Sequence, residues 1–356
     1  MPRETITRRS AVRGLAATSL GLPLLGRTAQ AAAPAASKVT PELIEAAKKE
    51  GKASWYTAVD LPVAERIAKA FEAKYPGIAV RVERSGGERI YQRIGQEYAS
   101  KIHAVDVVNS SDAAHFIVWK RDGILAPYVP EDEALHYPAE HKDPDGLFAS
   151  WRIWLCVIGY NTKLVSAAEA PKSFADLLDP KWSGKIVKAH PGYSGTIMTA
   201  TFQIARDIGW SYFEKLSQQK VMQVQSSADP PKKLALGERA IMADGNEYNL
   251  VQLKEKGDPV EIVYPAEGTP IIIGPSAVMK EAPNPNAARL LQCYMFSPGC
   301  QQLMVDFGGL RSYHALVKDK GGRRPLAEIK LMKDDPAAVE RQADEIKARY
   351  TKYFKV

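Results

Sequence analysis

The chain has 356 residues, which is long for one ordinary hydrophobic core and suits two domains of moderate size. It is 45% hydrophobic and 25% charged, a composition that excludes global disorder. Of its formal charge of +7, five arginines and one glutamate among residues 1–31 supply +4. The remaining body is weakly basic and has no basic block of the sort a nucleic-acid surface needs, though the mild excess is compatible with an anionic ligand.

The first 31 residues read as a secretory signal. Arg8-Arg9 opens a basic region reaching Arg13, an apolar run diluted by Gly21 and Pro23 follows from Leu15 to Leu25, and Ala29-Gln30-Ala31 forms a small-x-small cleavage site. The paired arginines, the modest hydrophobicity and Arg27 favour twin-arginine export, although Ser10-Ala11-Val12 lacks the usual bulky residue after the pair. The run is too short to cross a bilayer, so an exported periplasmic protein is expected. The three cysteines, Cys156, Cys293 and Cys300, are too few for a disulfide framework. A bridge between Cys293 and Cys300 is conceivable; buried free thiols are the expectation.

From about Lys38 strands and helices alternate. Ala53–Thr57 reads as a strand, followed by a helix with Val63, Ile67, Phe71 and Tyr75 on one face, and Pro76-Gly77 ends it. Ile78–Val82 is the next strand, and a helix then presents Ile90, Ile94 and Tyr98. A strand over 104–108 leads to a helix from Asp112 to Lys120. The alternation resumes with a strand at 185–187, a long helical stretch over 196–219, a strand at 221–224, a short helix at 232–237, a strand at 240–242 and a helix through Leu250 and Leu253. Trp151–Tyr160 and Pro270–Met279 differ, being long apolar runs without helical period. They read as strands crossing between two lobes. A helix break at Ser297-Pro298-Gly299 and a terminal helix with Val339, Ala343, Ile346, Tyr350 and Phe354 on one stripe complete the chain. The fold class expected is α/β, with mostly parallel sheet covered on both faces. Residues 38–150 with 278–356 make the N-terminal lobe and 151–277 the C-terminal lobe, hinged at 151–160 and 270–279.

Ligands in such sheets sit beyond the C-terminal ends of strands. Three strand-to-helix junctions there are rich in small hydroxyl residues and glycine: Ser85-Gly86-Gly87, Ser110-Ser111-Asp112 and Tyr193-Ser194-Gly195-Thr196. Free backbone N–H groups and the helix dipole suit a carboxylate, phosphate or phosphonate at such places. The same residue types are ordinary N-caps, so both readings stay open. Thr57, at the end of the first strand, is a further candidate contact, and Glu88 beside the first junction weakens the case for an anion. Tyr56, Tyr193 and Tyr248 each follow a strand, where a cleft lining or core packing would use them. An enzyme finds less support. Gly192-Tyr193-Ser194-Gly195-Thr196 lacks the closing glycine of a nucleophile elbow, and no phosphate-loop, dinucleotide or zinc-protease motif occurs. The six histidines show no metal-ligand spacing, and no cofactor is expected.

The segments Gly159-Tyr160-Asn161-Thr162-Lys163-Leu164-Val165, Ala170-Pro171-Lys172-Ser173-Phe174 running to Lys181-Trp182, Gly184-Lys185-Ile186, Tyr193-Ser194-Gly195-Thr196 and Ser297-Pro298-Gly299-Cys300-Gln301-Gln302-Leu303 resemble the periplasmic substrate-binding proteins of the family-1 extracellular group, in its iron(III)/phosphonate/thiamine-like branch. The resemblance covers nearly all of the chain beyond residue 31. It implies a two-lobed type 2 binding fold that closes on a small-molecule ligand and delivers it to an inner-membrane ABC permease with its ATPase, as a monomer and without catalysis. It also implies that the turns at Ser85-Gly86, Ser110-Ser111 and Ser194-Gly195-Thr196 line the cleft. Iron-binding relatives use two adjacent tyrosines after a late strand. The matching stretch here, Asp244-Gly245-Asn246-Glu247-Tyr248-Asn249, has one. An organic anion is therefore favoured, with Asp244 and Tyr248 shaping selectivity. Iron(III) held by Glu247 and Tyr248 is the alternative, and a secreted serine hydrolase using Ser194 is the rival from another class.

Overall fold

The computed structural model describes residues 33–356. The export signal read at residues 1–31 lies outside the described residues. The first elements are α1 (Pro41–Glu50), β1 (Lys52–Thr57), α2 (Leu61–Lys74), β2 (Ala79–Arg84), α3 (Gly87–Ala99), β3 (Val107–Asn109), α4 (Ala114–Arg121), β4 (Leu125–Ala126) and α5 (Glu131–His136). The long strand β5 (Ala149–Asn161) leads into β6 (Ile186–Ala189), α6 (Gly195–Asp207), α7 (Trp210–Ser217), β7 (Met222–Val224), α8 (Asp229–Ala235), β8 (Ile241–Asn246), α9 (Glu247–Glu255) and β9 (Val260–Val263). The chain ends with β10 (Ile271–Met279), α10 (Pro285–Phe296), α11 (Pro298–Asp306) and α12 (Pro336–Phe354). Where one long helix was expected over 196–219, two occur. Gly209 has φ 101°, a conformation only glycine takes easily, and it separates α6 from α7.

The sheet runs β2-β1-β3-β10-β5-β8-β6-β7, with β4 on β10 and β9 on β5. β1 is parallel to β2 and β3, and β6 is parallel to β7 and β8. Every pairing made by β5 or β10 is antiparallel. The expectation of a mostly parallel sheet therefore holds within each half and fails at the join. The reason lies in β5: Ala149–Leu155 pair with β10, while Cys156–Asn161 pair with β8 and β9. This one strand belongs to both halves, and all thirteen of its residues are buried.

Each half has its own core, as the helical faces predict. Trp55, Phe71, Trp151, Leu290 and Met295 pack in the first, with the Trp55 and Trp151 rings edge-on at 5.9 Å. Phe174, Trp182, Ile186, Phe213 and Ile241 pack in the second. The stripe on α12 does not rest on the first lobe alone. Tyr350 enters the second core, while Val339 and Ile346 pack with Ala114 of α4 and Met198 and Phe202 of α6. Polar contacts repeat the pattern: Glu340 takes Arg121 and Lys347 meets Glu88 on the first lobe, while the Tyr350 hydroxyl donates to Gln223 on the second. The helix straps the two halves together. All three cysteines are buried and free, so the Cys293–Cys300 bridge is absent.

Candidate functional site

Six strands end at one place. A cavity of about 210 Å³ opens between the halves and is lined by Ala58 and Asp60 after β1, by Arg84, Gly86, Gly87 and Arg89 at the end of β2, and by Ser111 after β3. Tyr193, Ser194 and Thr196 after β6, Gln225, Ser226, Ser227 and Asp229 after β7, and Tyr248 after β8 close it from the other side. Parallel strands within each half make this convergence possible, because all their C-terminal ends point into the gap. The floor is β5, which contributes Arg152 and Trp154.

The halves touch across the cavity. Arg89 donates to Gln225 at 2.8 Å, and Asn249 donates to Asp60 at 2.7 Å. Two glycines allow the halves to approach closely. A Cβ on Gly86 would lie 2.9 Å from the Tyr193 carbonyl oxygen, and one on Gly195 would lie 2.8 Å from Asp112 Cβ. The N-termini of α3 and α6 are thereby brought together. Ser194 Oγ caps α6 by accepting from the Ile197 N–H at 3.4 Å, whereas α3 has Gly86 at its cap and no capping side chain. Its first N–H groups lie at the cavity wall with the partial positive charge of a helix start.

Arg152 is the side chain that sequence reasoning missed. It is 1% exposed, and its Nε and Nη2 have no hydrogen-bond partner. The guanidinium lies 4.2 Å from the centre of the Trp154 ring, beside Gly274 of β10, whose missing side chain leaves it room. Burial pulls its pKa down to about 10, so it remains a cation at neutral pH. Burying a charge without a partner is costly, and such a group is expected to meet its counter-ion in a ligand. The lining holds three arginines against two aspartates, and Arg84 is 3.6 Å from Asp60, so the free charge is positive. The available signal was a lone arginine in an otherwise apolar run. Gln225-Ser226-Ser227 had none beyond following a strand.

Of the residues singled out from sequence, Gly86, Ser111, Tyr193, Ser194, Thr196 and Tyr248 line the cavity. Gly195 lies behind it, against Ser111 and Asp112. The others stand elsewhere, each for a local reason. Thr57 Oγ1 accepts from the Val59 N–H, the Ser85 N–H extends the β1–β2 pairing to the Thr57 carbonyl, and Ser110 Oγ is bonded to His115 Nδ1 at 2.7 Å. Tyr56 belongs to the core beside Ile90 and Phe116. Asp244 is fully buried on Lys188 at 2.7 Å and does not reach the cavity. Glu247 is gripped by Arg311 through two bonds of 2.9 and 2.7 Å, so it does not stand beside Tyr248 as an iron ligand. Burial, with Asp60 nearby, pushes the Tyr248 hydroxyl well above its ordinary range and disfavours a phenolate.

Glu88, expected to oppose an anion, is neutralised. Burial alone would raise its pKa, but His115 at 3.0 Å and Lys347 at 3.0 Å outweigh this and bring it to about 2. Glu88, Asp112 and His115 come close enough to suggest a cation site. Their atoms are already engaged: His115 bonds Ser110 and Glu88, Glu88 meets Lys347, and Asp112 accepts from the Ala114 N–H. Among the described residues no helix is long and apolar enough to cross a membrane.

The sequence profile described as "Bacterial extracellular solute-binding protein" matches residues 105–322, and the chain belongs to that family. A probable ABC transporter periplasmic-binding protein of Sinorhizobium fredii is 24% identical over 284 residues, 77% of this chain and 74% of that one. A Haemophilus influenzae relative is matched over only 55% of its own length. The fold is that of the periplasmic binding protein AfuA from Actinobacillus pleuropneumoniae, solved with fructose-6-phosphate bound, at a TM-score of 0.79 and 23% identity, covering 86% of this chain and 99% of that chain. Iron-bound HitA from Pseudomonas aeruginosa is also similar, at 0.73 and 24%, covering 85% and 99%. The two-lobed type 2 fold is thereby established.

Proposed function

We propose that this protein is the periplasmic solute-binding component of an ABC importer and that its cargo is a small organic anion: a phosphate ester, a phosphonate or a carboxylate. The observation that carries the reading is Arg152, a buried cation with no hydrogen-bonded carboxylate at the floor of an interlobe cavity. The ligand's anionic group meets Arg152, with Ser111, Ser194 and Thr196 donating from the two lobes and the uncapped start of α3 adding its field. Contacts from both lobes favour the closed form, reached by pivoting on 151–160 and 270–279. An inner-membrane permease with its ATPase receives that form, and the protein works as a monomer, exported by the twin-arginine route and without nucleic acid or cofactor. The kinship with a probable ABC transporter binding protein and the bound sugar phosphate of AfuA agree with this.

Iron(III) is the second reading, and HitA, a neighbour in fold, is iron-bound. It fits less well, because an unpaired guanidinium repels a trivalent cation and Glu247 is held by Arg311. For the hydrolase reading, Ser194 Oγ caps α6 and His190 Nδ1 accepts from the Gly192 N–H, so neither is set up as a nucleophile–base pair. Native mass spectrometry of protein from a periplasmic extract, with calorimetric titration of glycerol phosphate, methylphosphonate and ferric citrate, tests the proposal. The expected result is an organic anion released on denaturation and anion binding weakened at least about 100-fold in Arg152→Met. An iron-sized adduct, or undiminished anion binding in that variant, overturns it.

A further inference from the structure

Resting on that reading, we infer that the ligand is amphiphilic, an anionic head held at Arg152 with an apolar tail that leaves the inner cavity along a second chamber. A larger cavity of about 720 Å³ continues outward between the same two halves, and Asp60, Arg84, Ser226 and Asp229 line both. The change in character along this path is sharp. The inner cavity is walled by arginines, serines and helix starts, whereas the outer one offers Leu61, Val63, Pro231, Leu253 and Phe307. Leu61 and Phe307 are 45% and 46% exposed, so both leave much of an apolar side chain in water. Leu61 opens α2 and Phe307 follows α11 on the first lobe, while Pro231 and Leu253 face them from α8 and α9 on the second. Lys232, Glu255, Lys256 and Asp306 add charges to the same lining, and Asn249 and Gln252 add amides. An apolar path with charges about it, continuous with a cation-floored cavity, matches one molecule with two unlike ends. Lobe closure would bury both ends together, and each methylene covered would strengthen binding about fourfold. A sugar phosphate would leave the outer apolar wall wet.

The test is calorimetric titration of the full protein with n-alkylphosphonates from methyl to octyl. Affinity is expected to rise at least about 30-fold along the series, and the ratio of octyl to methyl affinity to collapse toward one in the surface variants Leu61→Asp and Phe307→Ser. Methylphosphonate binding with no dependence on chain length overturns the amphiphilic ligand and leaves the anion reading standing. A rising series that both variants leave intact also overturns the inference, since the tail then lies elsewhere. Failure of every member to bind, methylphosphonate included, overturns the inference and removes phosphonates from the anion reading.

Discussion

Three cations are buried to the same degree and have opposite meanings. Lys188, in the second lobe, has Asp244 at 2.7 Å, and Arg311 has a two-bond grip on Glu247 with Asp319 at 2.8 Å. Arg152, on the crossing strand β5, has the faces of Trp154 and Trp151 and no hydrogen-bonded carboxylate. The first two are closed circuits of charge that hold β6 to β8 and the turn after α11 to α9. The third is open on the side that faces the cleft. Burial alone therefore does not distinguish scaffold from site; the presence of a partner does.

Substitution breaks or sharpens this contrast. The largest effect is expected at Asp244→Ala, which strands the Lys188 ammonium. Urea unfolding should show a loss of about 3–5 kcal/mol, and a loss under about 1 kcal/mol would mean that Lys188 finds water or another partner. Arg152→Met should do the reverse in the ligand-free protein. Removing an unpaired buried charge should stabilise it by about 1–2 kcal/mol while binding is lost. A destabilised Arg152→Met would make the guanidinium a scaffold group after all.

Closure gives a third measure. Gly195→Val places atoms where Asp112 already stands, so the lobes should be held apart. Binding should weaken about tenfold, with a larger radius by small-angle scattering, and unaltered affinity would show that this contact does not gate closure.

The smallest effect concerns Asp334, just before α12. Burial first, and then Asp112, push its pKa up to about 7. In the unfolded chain it ionises in the ordinary aspartate range. Its contribution to stability is thus complete below that range and is lost as pH rises from about 4 through 7. Asp334→Asn should therefore gain on the natural protein by about 2–4 °C in Tm between pH 4.5 and 7.5. A constant difference between the two across that window would place the aspartate in water.

Much of this was legible beforehand where the signal is local. The face of α2 through Val63, Ile67 and Phe71, the apolar runs that became β5 and β10, and the glycine- and serine-rich junctions all follow from periodicity and turn chemistry. The weak places were also local in origin. Tyr56 and Ser110 have the right position after or near a strand end, but the first packs into a core and the second bonds a histidine five residues on.

The sequence by itself determined an alternating α/β chain in two halves, strand-to-helix junctions rich in glycine and small hydroxyl residues, and the long apolar runs that became β5 and β10. Only the tertiary structure decided which polar groups face the cleft. Asp244 and Glu247 look as available in sequence as Tyr248, yet the first finds Lys188 and the second Arg311, 64 residues away. Arg152 looks like an interruption in a core strand and finds no hydrogen-bonded carboxylate, only the through-space charge of Asp60 across the cavity. Pairing between distant residues is set by how the sheet folds back on itself, and periodicity and turn chemistry, which act over a few residues, carry no record of it.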